Sequence, residues 1–211
     1  MIAPIADRWT RETLCVRPHA RVKLLRARPR TLKRATFMTI VPLLTIAPDA
    51  IDALLDRAFG PDRRSKTAYR VRSGVSEIPE LSFAMLDDDG AFVASIQCWP
   101  VALACDDGGR VPMVMVGPIA VDPAIQRGGL GQKITRHMLA AADDCVGTVA
   151  GADALMLVGD PEYYARFFGF SAERTGGWRL PGPWEPHRLL ARGDAVPDCT
   201  GILEPNLPAA D

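Results

Sequence analysis

The sequence has no long apolar run, few histidines and no closely spaced pair of cysteines. Asp122, Arg127 and Asp160 interrupt the apolar stretches before any of them reaches the roughly 18 to 20 residues of a membrane span. The three histidines are scattered, which argues against a zinc site. The five cysteines are widely spaced and odd in number, a pattern typical of reduced thiols. These absences predict a soluble, cytoplasmic protein without a metal site or a membrane partner.

Length and composition predict one compact domain. The chain has 211 residues, of which 48% are hydrophobic, so it can bury a sizeable core. Its 18 prolines and 18 glycines indicate many turns rather than disorder. We therefore expect a single domain over residues 38–211.

The first 37 residues differ in charge from the rest of the chain. They contain ten Lys/Arg against two acidic residues, a net charge of +8, which leaves −8 for residues 38–211 because the whole chain is neutral. Met38 stands immediately before the first predicted strand, so residues 1–37 are interpreted as a disordered basic arm or as an upstream extension that is not native to the fold. A targeting peptide or a nucleic-acid tail stays open as an alternative, because either would be basic and poor in acids.

Apolar periodicity and turn signals predict an α/β (α+β) fold class, with a mixed sheet flanked by helices. A helix is expected over 50–58 and a polar helical stretch over 63–73. A hairpin is expected from 81–86 and 91–104, because an Asp-Gly turn signal lies between them. The first strand is predicted at 43–46 and the last strands at 178–180 and 187–191, and the tail after Pro197 carries no chemical signal.

Residues 113–139 form the most informative stretch, because an apolar strand runs through a glycine loop into an amphipathic helix. Residues 111–121 are almost continuously apolar, as in a strand covered on both faces. From Leu130 onwards, apolar residues recur every three or four positions. The helix therefore begins at the glycines, where free N–H groups and the absence of Cβ atoms suit the binding of phosphate.

Spacing decides which kind of phosphate loop this is. A Walker motif fails because Gln132 separates Gly131 from Lys133, and a dinucleotide motif fails because position 134 is Ile134. The pattern that remains is Gln126-x-x-Gly129-x-Gly131.

A second segment, 154–170, adds a more specific signal. A short apolar strand is followed by Gly159-Asp-Pro-Glu-Tyr-Tyr-Ala-Arg-Phe-Phe-Gly-Phe170. Asp160 suits the N-cap of a helix, Pro161 its first position and Gly169 its left-handed C-terminal end. The order of the elements is strand, glycine loop, helix, strand, tyrosine-rich helix.

This order and the two motifs resemble the GCN5-related N-acetyltransferases (GNAT). The chain is most similar to a bacterial branch with Gly-Pro-Leu-Ala-Val-Asp-Pro before the loop and Gly-Asp-Pro-x-Tyr-Tyr-x-Arg-Phe-Gly-Phe after it. The corresponding strings here are Gly117-Pro-Ile-Ala-Val-Asp-Pro123 and the segment 159–170. The strings 56–60 and 77–83 also look like that branch, so the resemblance covers roughly residues 42–192.

The resemblance implies the GNAT fold and an N-acetyltransferase that uses acetyl-CoA as co-substrate. A primary amine of a small molecule or peptide would attack the thioester directly in a ternary complex. Catalysis would then depend mainly on how the enzyme positions the two substrates. A bulge in the central strand, expected at Gly117-Pro118, would admit the pantetheine arm. The backbone of Ile119, Ala120 and Val121 would bind pantetheine, with the Ile119 N–H as oxyanion donor. The pyrophosphate would be held by the loop residues Gln126, Arg127, Gly128, Gly129, Leu130, Gly131 and Gln132.

The resemblance also implies a tyrosine that protonates the departing thiolate. The branch normally places it four residues before the closing glycine, whereas Tyr164 stands five before Gly169, so Tyr163 and Tyr164 are both candidates. A general base is not assigned; Glu77, Glu80, Asp160 and a chain of waters are the alternatives. The acceptor amine and the oligomeric state, with a homodimer as one option, also stay open.

Two other classes of function are kept as alternatives. A non-catalytic acyl-CoA sensor would keep the phosphate loop without turnover. A nucleic-acid-binding protein would act through the basic arm, although residues 38–211 lack a basic stripe interleaved with aromatic residues.

Overall fold

The computed structural model of the protein describes residues 37–125 and 128–207, and a mixed β-sheet forms the centre of this part. The strands that the described residues form are β1 (Thr39–Pro42), β2 (Phe83–Leu86), β3 (Phe92–Cys105), β4 (Arg110–Val121), β5 (Leu155–Val158), β6 (Trp178–Arg179), β7 (Leu189–Arg192) and β8 (Gly201–Pro205). The helices are α1 (Pro48–Phe59), α2 (Thr67–Val71), α3 (Leu130–Asp144) and α4 (Pro161–Phe168). This architecture confirms the predicted fold class.

The long hairpin of β3 and β4 is the centre of the sheet. Both strands are largely buried, as their apolar sequences predict, and they pair antiparallel from Ala94↔Val121 to Ala104↔Arg110. The order across the sheet is β1, β2, β3, β4, β5, β7. Because β3 is long, β2 pairs with its first half and β8 with its second. Only the β4–β5 pair on this path is parallel.

Helices cover both faces of the sheet. The apolar side of α3, with Ile134 and Met138 fully buried, packs into one core cluster together with Phe168 and Phe170 around α4. On α1, Leu54 and Leu55 pack against Ala120 of β4 in a second cluster. A third cluster combines α2 with the C-terminal strands. The helix predicted at 50–58 and the hairpin around 87–90 are confirmed.

Two of the predicted elements were wrong or incomplete, and one strand was not predicted. The first strand is Thr39–Pro42 rather than 43–46, because pairing with β2 ends at Pro42↔Phe83 and Leu43–Thr45 forms a 3-10 turn. The polar stretch 63–73 is divided between a 3-10 turn, Pro61–Ser65, and the short α2. The tail after Pro197, which showed no chemical signal, contributes β8 between β3 and β6.

The prediction that all cysteines are reduced was also wrong. Cys105 at the end of β3 and Cys199 just before β8 form a disulfide, with Cα atoms 6.0 Å apart. The pairing of β8 with β3 brings the two residues together although 94 positions separate them. Cys98 and Cys145 are free.

Some predictions fall on residues outside this description. Residues 1–36, which are the whole basic arm except its last residue, lie outside the described part of the chain. Gln126 and Arg127 of the loop also lie outside it. Within the part of the chain that the structure describes, no helix is both long and apolar enough to cross a membrane.

Candidate active site

Strands β4 and β5 pair over a short stretch and then separate. In the described chain, their register pairs are Val114↔Leu155 and Met115↔Met156, and none is formed beyond Met115. On the other side of β4, the register with β3 shifts by one residue between Ile96↔Ile119 and Cys98↔Val116. The extra residue belongs to the Gly117-Pro118 segment, and Gly117 has a φ of 119°, which favours glycine. The predicted bulge is therefore confirmed.

Two side chains hold the bulge by its carbonyl group. The Gly117 C=O accepts hydrogen bonds from Trp99 Nε1 at 2.9 Å and from Arg72 Nη1 at 3.2 Å. The Arg72 guanidinium lies 3.9 Å from the ring centre of Tyr69 and 4.4 Å from that of Trp99, within the range of cation–π contact. Sequence reasoning missed both residues, because Arg72 acts on a carbonyl that lies 45 positions further along the chain.

Hydrogen bonds alternate along β4, and this alternation determines which of its N–H groups face the gap that opens between β4 and β5. The Asp122 N–H donates to the Val93 C=O at 2.9 Å, and in an antiparallel pair the bonded residues alternate. It follows from the register that Ala120 bonds to β3, while the N–H groups of Ile119 and Val121 are directed away from β3. Ile119 and Val121 therefore present backbone groups to the gap. The Ala120 backbone is directed at β3, and its predicted contact with pantetheine stays a prediction.

The glycine loop leads directly into α3, as predicted. Gly128 and Gly129 have φ values of 123° and 68°, and Gly129 is the N-cap of α3 without a side-chain cap. The first N–H groups of a helix have no intrahelical partner, so those at 130–132 are available to an anion. Leu130 is buried and anchors the first turn, and Gly131 packs against Val121 of β4. Gln132 lies in the same turn, where its Oε1 accepts from Arg136 at 3.4 Å.

The ends of α4 are also as predicted. Asp160 Oδ1 accepts from the Tyr163 N–H at 3.1 Å, and Pro161 occupies the first turn. Gly169, with a φ of 72°, ends the helix, and its N–H reaches the carbonyls of Ala165 and Tyr164.

The two candidate tyrosines of α4 have different surroundings. Tyr164 lines a cleft of about 640 Å³ between β4 and β5, which also contains the bulge and Ile119. Its ring lies on Gly159, where a Cβ would be 2.3 Å from Tyr164 Cε2, so the glycine makes room for the ring. The Tyr163 ring packs instead against Phe167 and Phe168, and Tyr163 does not line this cleft. Burial, with a smaller contribution from Tyr163, raises the pKa of Tyr164 to about 12.

The rest of the cleft is built mainly from two distant segments, the 3-10 turn Pro61–Ser65 with α2 and the loop after β6. The Thr67 hydroxyl joins them by donating to the Pro183 C=O at 2.6 Å. Apolar side chains in the lining include Phe59, Leu180 and Trp184. The charged residues of the lining are Arg63, Lys66, Arg72, Glu185 and Arg188.

Two of these cations are paired with carboxylates. Arg63 contacts Asp52 at 2.6 Å and Asp56 at 2.7 Å and also bonds to the Tyr69 hydroxyl. Burial opposes its charge, but these hydrogen bonds raise the pKa of Arg63 overall. Arg188 lies 3.9 Å from Glu185.

The carboxylates considered as a general base are not brought to the cleft. Neither Glu77 nor Glu80 lines it, and Glu77 accepts from Gln97 Nε2 at 3.0 Å. Asp160 caps α4. Glu185 is the acidic residue of the described cleft lining, and sequence reasoning did not single it out.

Comparison with known proteins gives the family. A family model described as an acetyltransferase (GNAT) domain matches residues 47–170, more than half of the chain. The chain belongs to the GNAT acetyltransferase family. The resemblance stated from the sequence is thereby confirmed for the family, and GNAT enzymes use acetyl-CoA, as predicted.

Solved GNAT structures share this fold. The GNAT family N-acetyltransferase YhbS from Escherichia coli, in complex with CoA, is 25% identical, with a TM-score of 0.59 over 81% of this chain and 89% of that one. A GNAT family acetyltransferase from Brucella melitensis, in complex with acetyl-CoA, is 24% identical, with a TM-score of 0.52 over 82% of this chain and 97% of that one. The comparison with curated proteins gives no match.

Proposed function

We propose that the protein is an N-acetyltransferase that transfers the acetyl group of acetyl-CoA to a primary amine of a small molecule or peptide. The observation that carries this proposal is the separation of β4 from β5 at the Gly117-Pro118 bulge. It leaves the N–H groups of Ile119 and Val121 directed into a gap next to the cleft. A pantetheine arm has amide groups that suit such a gap, since they can pair with a strand edge.

The two ends of acetyl-CoA fit two neighbouring parts of the chain. The N–H groups at the start of α3 suit the pyrophosphate, because the helix end carries a partial positive charge there. Gly128 and Gly129 have open space where a Cβ would stand, so a phosphate can approach their backbone. Gln126 and Arg127 belong to the same proposed loop. Pantetheine would then run along β4 and bring the thioester to the bulge.

Ile119 is proposed as the oxyanion donor. Its N–H is directed away from β3 and it lines the cleft, so it can donate to the thioester carbonyl as negative charge develops there. The Arg72 and Trp99 hydrogen bonds to the Gly117 C=O hold the adjacent peptide in place. Fixed geometry of this kind is most of what direct transfer requires.

Tyr164 is proposed as the general acid. The nitrogen of a neutral amine forms a bond to the thioester carbon, the carbon–sulfur bond breaks, and the sulfur leaves with the electron pair as thiolate. The Tyr164 hydroxyl gives its proton to that sulfur, the surplus proton of the amine passes to solvent, and the Tyr164 phenolate takes a proton back from solvent. Burial raises the pKa of Tyr164 to about 12, so Tyr164, like an ordinary tyrosine, carries a proton at physiological pH.

Cofactor binding gives the first test. A ligand that binds only the folded state stabilises it by about 2.7 kcal/mol at 100 times its Kd. We therefore expect acetyl-CoA to raise the melting temperature, as measured by differential scanning fluorimetry. No shift at millimolar acetyl-CoA would refute the proposal.

Turnover separates an enzyme from a sensor. Purified protein with acetyl-CoA and a panel of amines should release free CoA, measured with a thiol reagent, and the acetylated amine should appear by mass spectrometry. Binding of acetyl-CoA without release of CoA for any amine would favour the acyl-CoA sensor instead.

A further inference from the structure

One part of the cleft lining has a positive charge that the described protein does not balance. We call this the acceptor end and define it by Phe59, Lys66, Tyr69, Arg72 and Trp184, all of which line the cleft. Among the described residues, neither Lys66 nor Arg72 has a carboxylate within ion-pair distance. Two cations of the lining thus lack a counterion.

Arg72 is the more informative of the two. The residue is only 6% exposed, and burying a charged group without a partner is costly. Its stacking on Tyr69 and Trp99 and its bond to the Gly117 C=O recover part of this cost. Glu77 also attracts Arg72, although the Glu77 carboxylate accepts its hydrogen bond from Gln97. An anion bound in the cleft would supply the missing counterion.

Trp184 points to the same chemistry independently. Its Nε1 atom is buried and has no hydrogen-bond partner within the described residues. Buried polar groups are nearly always hydrogen-bonded, so this indole N–H lacks an acceptor, and a ligand can supply one once the Trp184 ring turns, because the atom itself is closed to solvent here. Arg72, Lys66 and Trp184 are all donors, and a carboxylate has two oxygens that accept several hydrogen bonds.

The phosphates of acetyl-CoA do not account for these donors. The cofactor's pyrophosphate is assigned to the start of α3, and neither Gly128, Gly129 nor Leu130 lines the cleft. The acceptor end is instead built by residues of 59–72 and by Trp184. Its donors therefore remain for the second substrate.

We propose that the acceptor is a small amine that also carries a carboxylate and an apolar or aromatic body, as an amino acid does. This rests on the proposed acetyltransferase function, because it assigns the second substrate of the same cleft. Arg72 and Lys66 bind the carboxylate, the Trp184 N–H donates to one of its oxygens after the ring turns, and the Phe59 and Tyr69 rings contact the body. A polyamine fits poorly, because its extra ammonium groups would meet two cations that already lack partners.

The test compares acceptors that differ in the carboxylate, with kcat/KM expressed per neutral amine because the ammonium group of a carboxamide is the more acidic of the two. With acetyl-CoA at saturation, the twenty amino acids, their carboxamides and spermidine are assayed as acceptors by release of free CoA. A charge-assisted hydrogen bond corresponds to about 10- to 100-fold in binding, so we expect the best amino acid to exceed its carboxamide by at least about 10-fold in kcat/KM. An equal or higher kcat/KM for the carboxamide or for spermidine would overturn the inference.

Variants locate the carboxylate contact. Lys66→Gln changes an exposed residue that should not affect folding, and it is expected to lower the ratio of acid to carboxamide several-fold. Arg72→Gln is expected to lower this ratio toward one, provided that circular dichroism shows a folded protein. Arg64→Gln is the control, because it removes the same charge two residues from Lys66, and its side chain is 65% exposed and outside the cleft lining. An unchanged ratio in Lys66→Gln and in folded Arg72→Gln would overturn the assignment.

A binding measurement keeps the two proposals separable. Isothermal titration calorimetry compares N-acetylphenylalanine with N-acetylphenylalaninamide, both in the free protein and in the protein saturated with CoA. Tighter binding of the acid supports the carboxylate site even if no acceptor turns over. Equal binding of the pair overturns the carboxylate site, whereas the absence of any acetyl-CoA melting shift overturns the acetyltransferase proposal instead.

Discussion

Tyr163 and Tyr164 are neighbours in sequence, yet the helix directs them to different surroundings. Tyr164 lies over Gly159 and lines the cleft, while Tyr163 contacts two phenylalanine rings. Consecutive residues on a helix are about 100° apart, so only one of the two can face the thioester. Sequence motifs left this choice open because the extra phenylalanine at 167–168 shifts the spacing to Gly169.

Substitution of each tyrosine by phenylalanine tests the choice. Tyr164→Phe removes the proposed proton donor but keeps the ring, so kcat should fall by about 10²- to 10³-fold while acetyl-CoA affinity changes little. Tyr163→Phe is the matched control and should stay close to the native rate. Steady-state kinetics with an identified acceptor measures both. An equal, small effect of the two substitutions would mean that water protonates the thiolate.

The pKa of Tyr164 gives a prediction that needs no acceptor. Burial disfavours the phenolate and raises the pKa from 10.0 to about 12. Because the folded pKa is the higher one, protonated Tyr164 favours the folded state below pH 10, and this contribution is lost as the pH rises through about 12. An ultraviolet difference titration of native protein against Tyr164→Phe should show a tyrosinate component with a midpoint near 12. A component near 10 would show that Tyr164 is not buried in solution.

At the scale of elements, the sequence was sufficient to predict those helices whose first and last residues are marked by local capping signals. The N-cap Asp160 and the C-terminal Gly169 fix α4, and the glycines fix the start of α3. Elements that depend on distant partners were not predictable in this way. β1 is set by its register with β2, and β8 exists because the second half of β3 offers it an edge. The Arg72 contact with the bulge was missed for the same reason.

The loop before α3 is tested by Gly129→Val. Gly129 has a φ of 68°, and a β-branched residue is strained there, so the backbone should move and the phosphate site should be lost. We expect the acetyl-CoA melting shift to disappear in this variant. Gly90→Val is the matched control, since Gly90 also has a positive φ of 78°, has open space around a Cβ and lies in the β2–β3 turn. Normal acetyl-CoA binding by Gly129→Val would place the pyrophosphate elsewhere.

At the scale of the whole molecule, the C-terminal segment extends the sheet beside the second half of β3. β8 pairs with β3 and β6, and Asp106 accepts from Arg179 and from the Thr200 hydroxyl next to the disulfide. The number and spacing of the cysteines could not predict the disulfide, because the pairing of Cys105 with Cys199 depends on the β3–β8 register. The expected cytoplasmic location relied on reduced thiols and stays a prediction. The domain boundary at Met38 also stays a prediction, since the arm lies outside the described residues.

The disulfide should contribute to global stability but not to the chemistry. It links residues 94 positions apart, and a cross-link that closes a long loop typically stabilises the folded state by about 2 to 4 kcal/mol. Cys199→Ser should lower the free energy of unfolding by that amount in urea denaturation, and reducing agent should have the same effect on the native protein. Cys145→Ser, which removes a free thiol, is the control. Because β8 pairs with the half of β3 from Val101 to Cys105, while the bulge faces Gln97, the acetyl-CoA melting shift should persist in Cys199→Ser.

Equal stability of Cys199→Ser and native protein under oxidising conditions would show that the disulfide does not form in solution. Thiol counting on the unfolded native protein would then detect both Cys105 and Cys199 as free thiols.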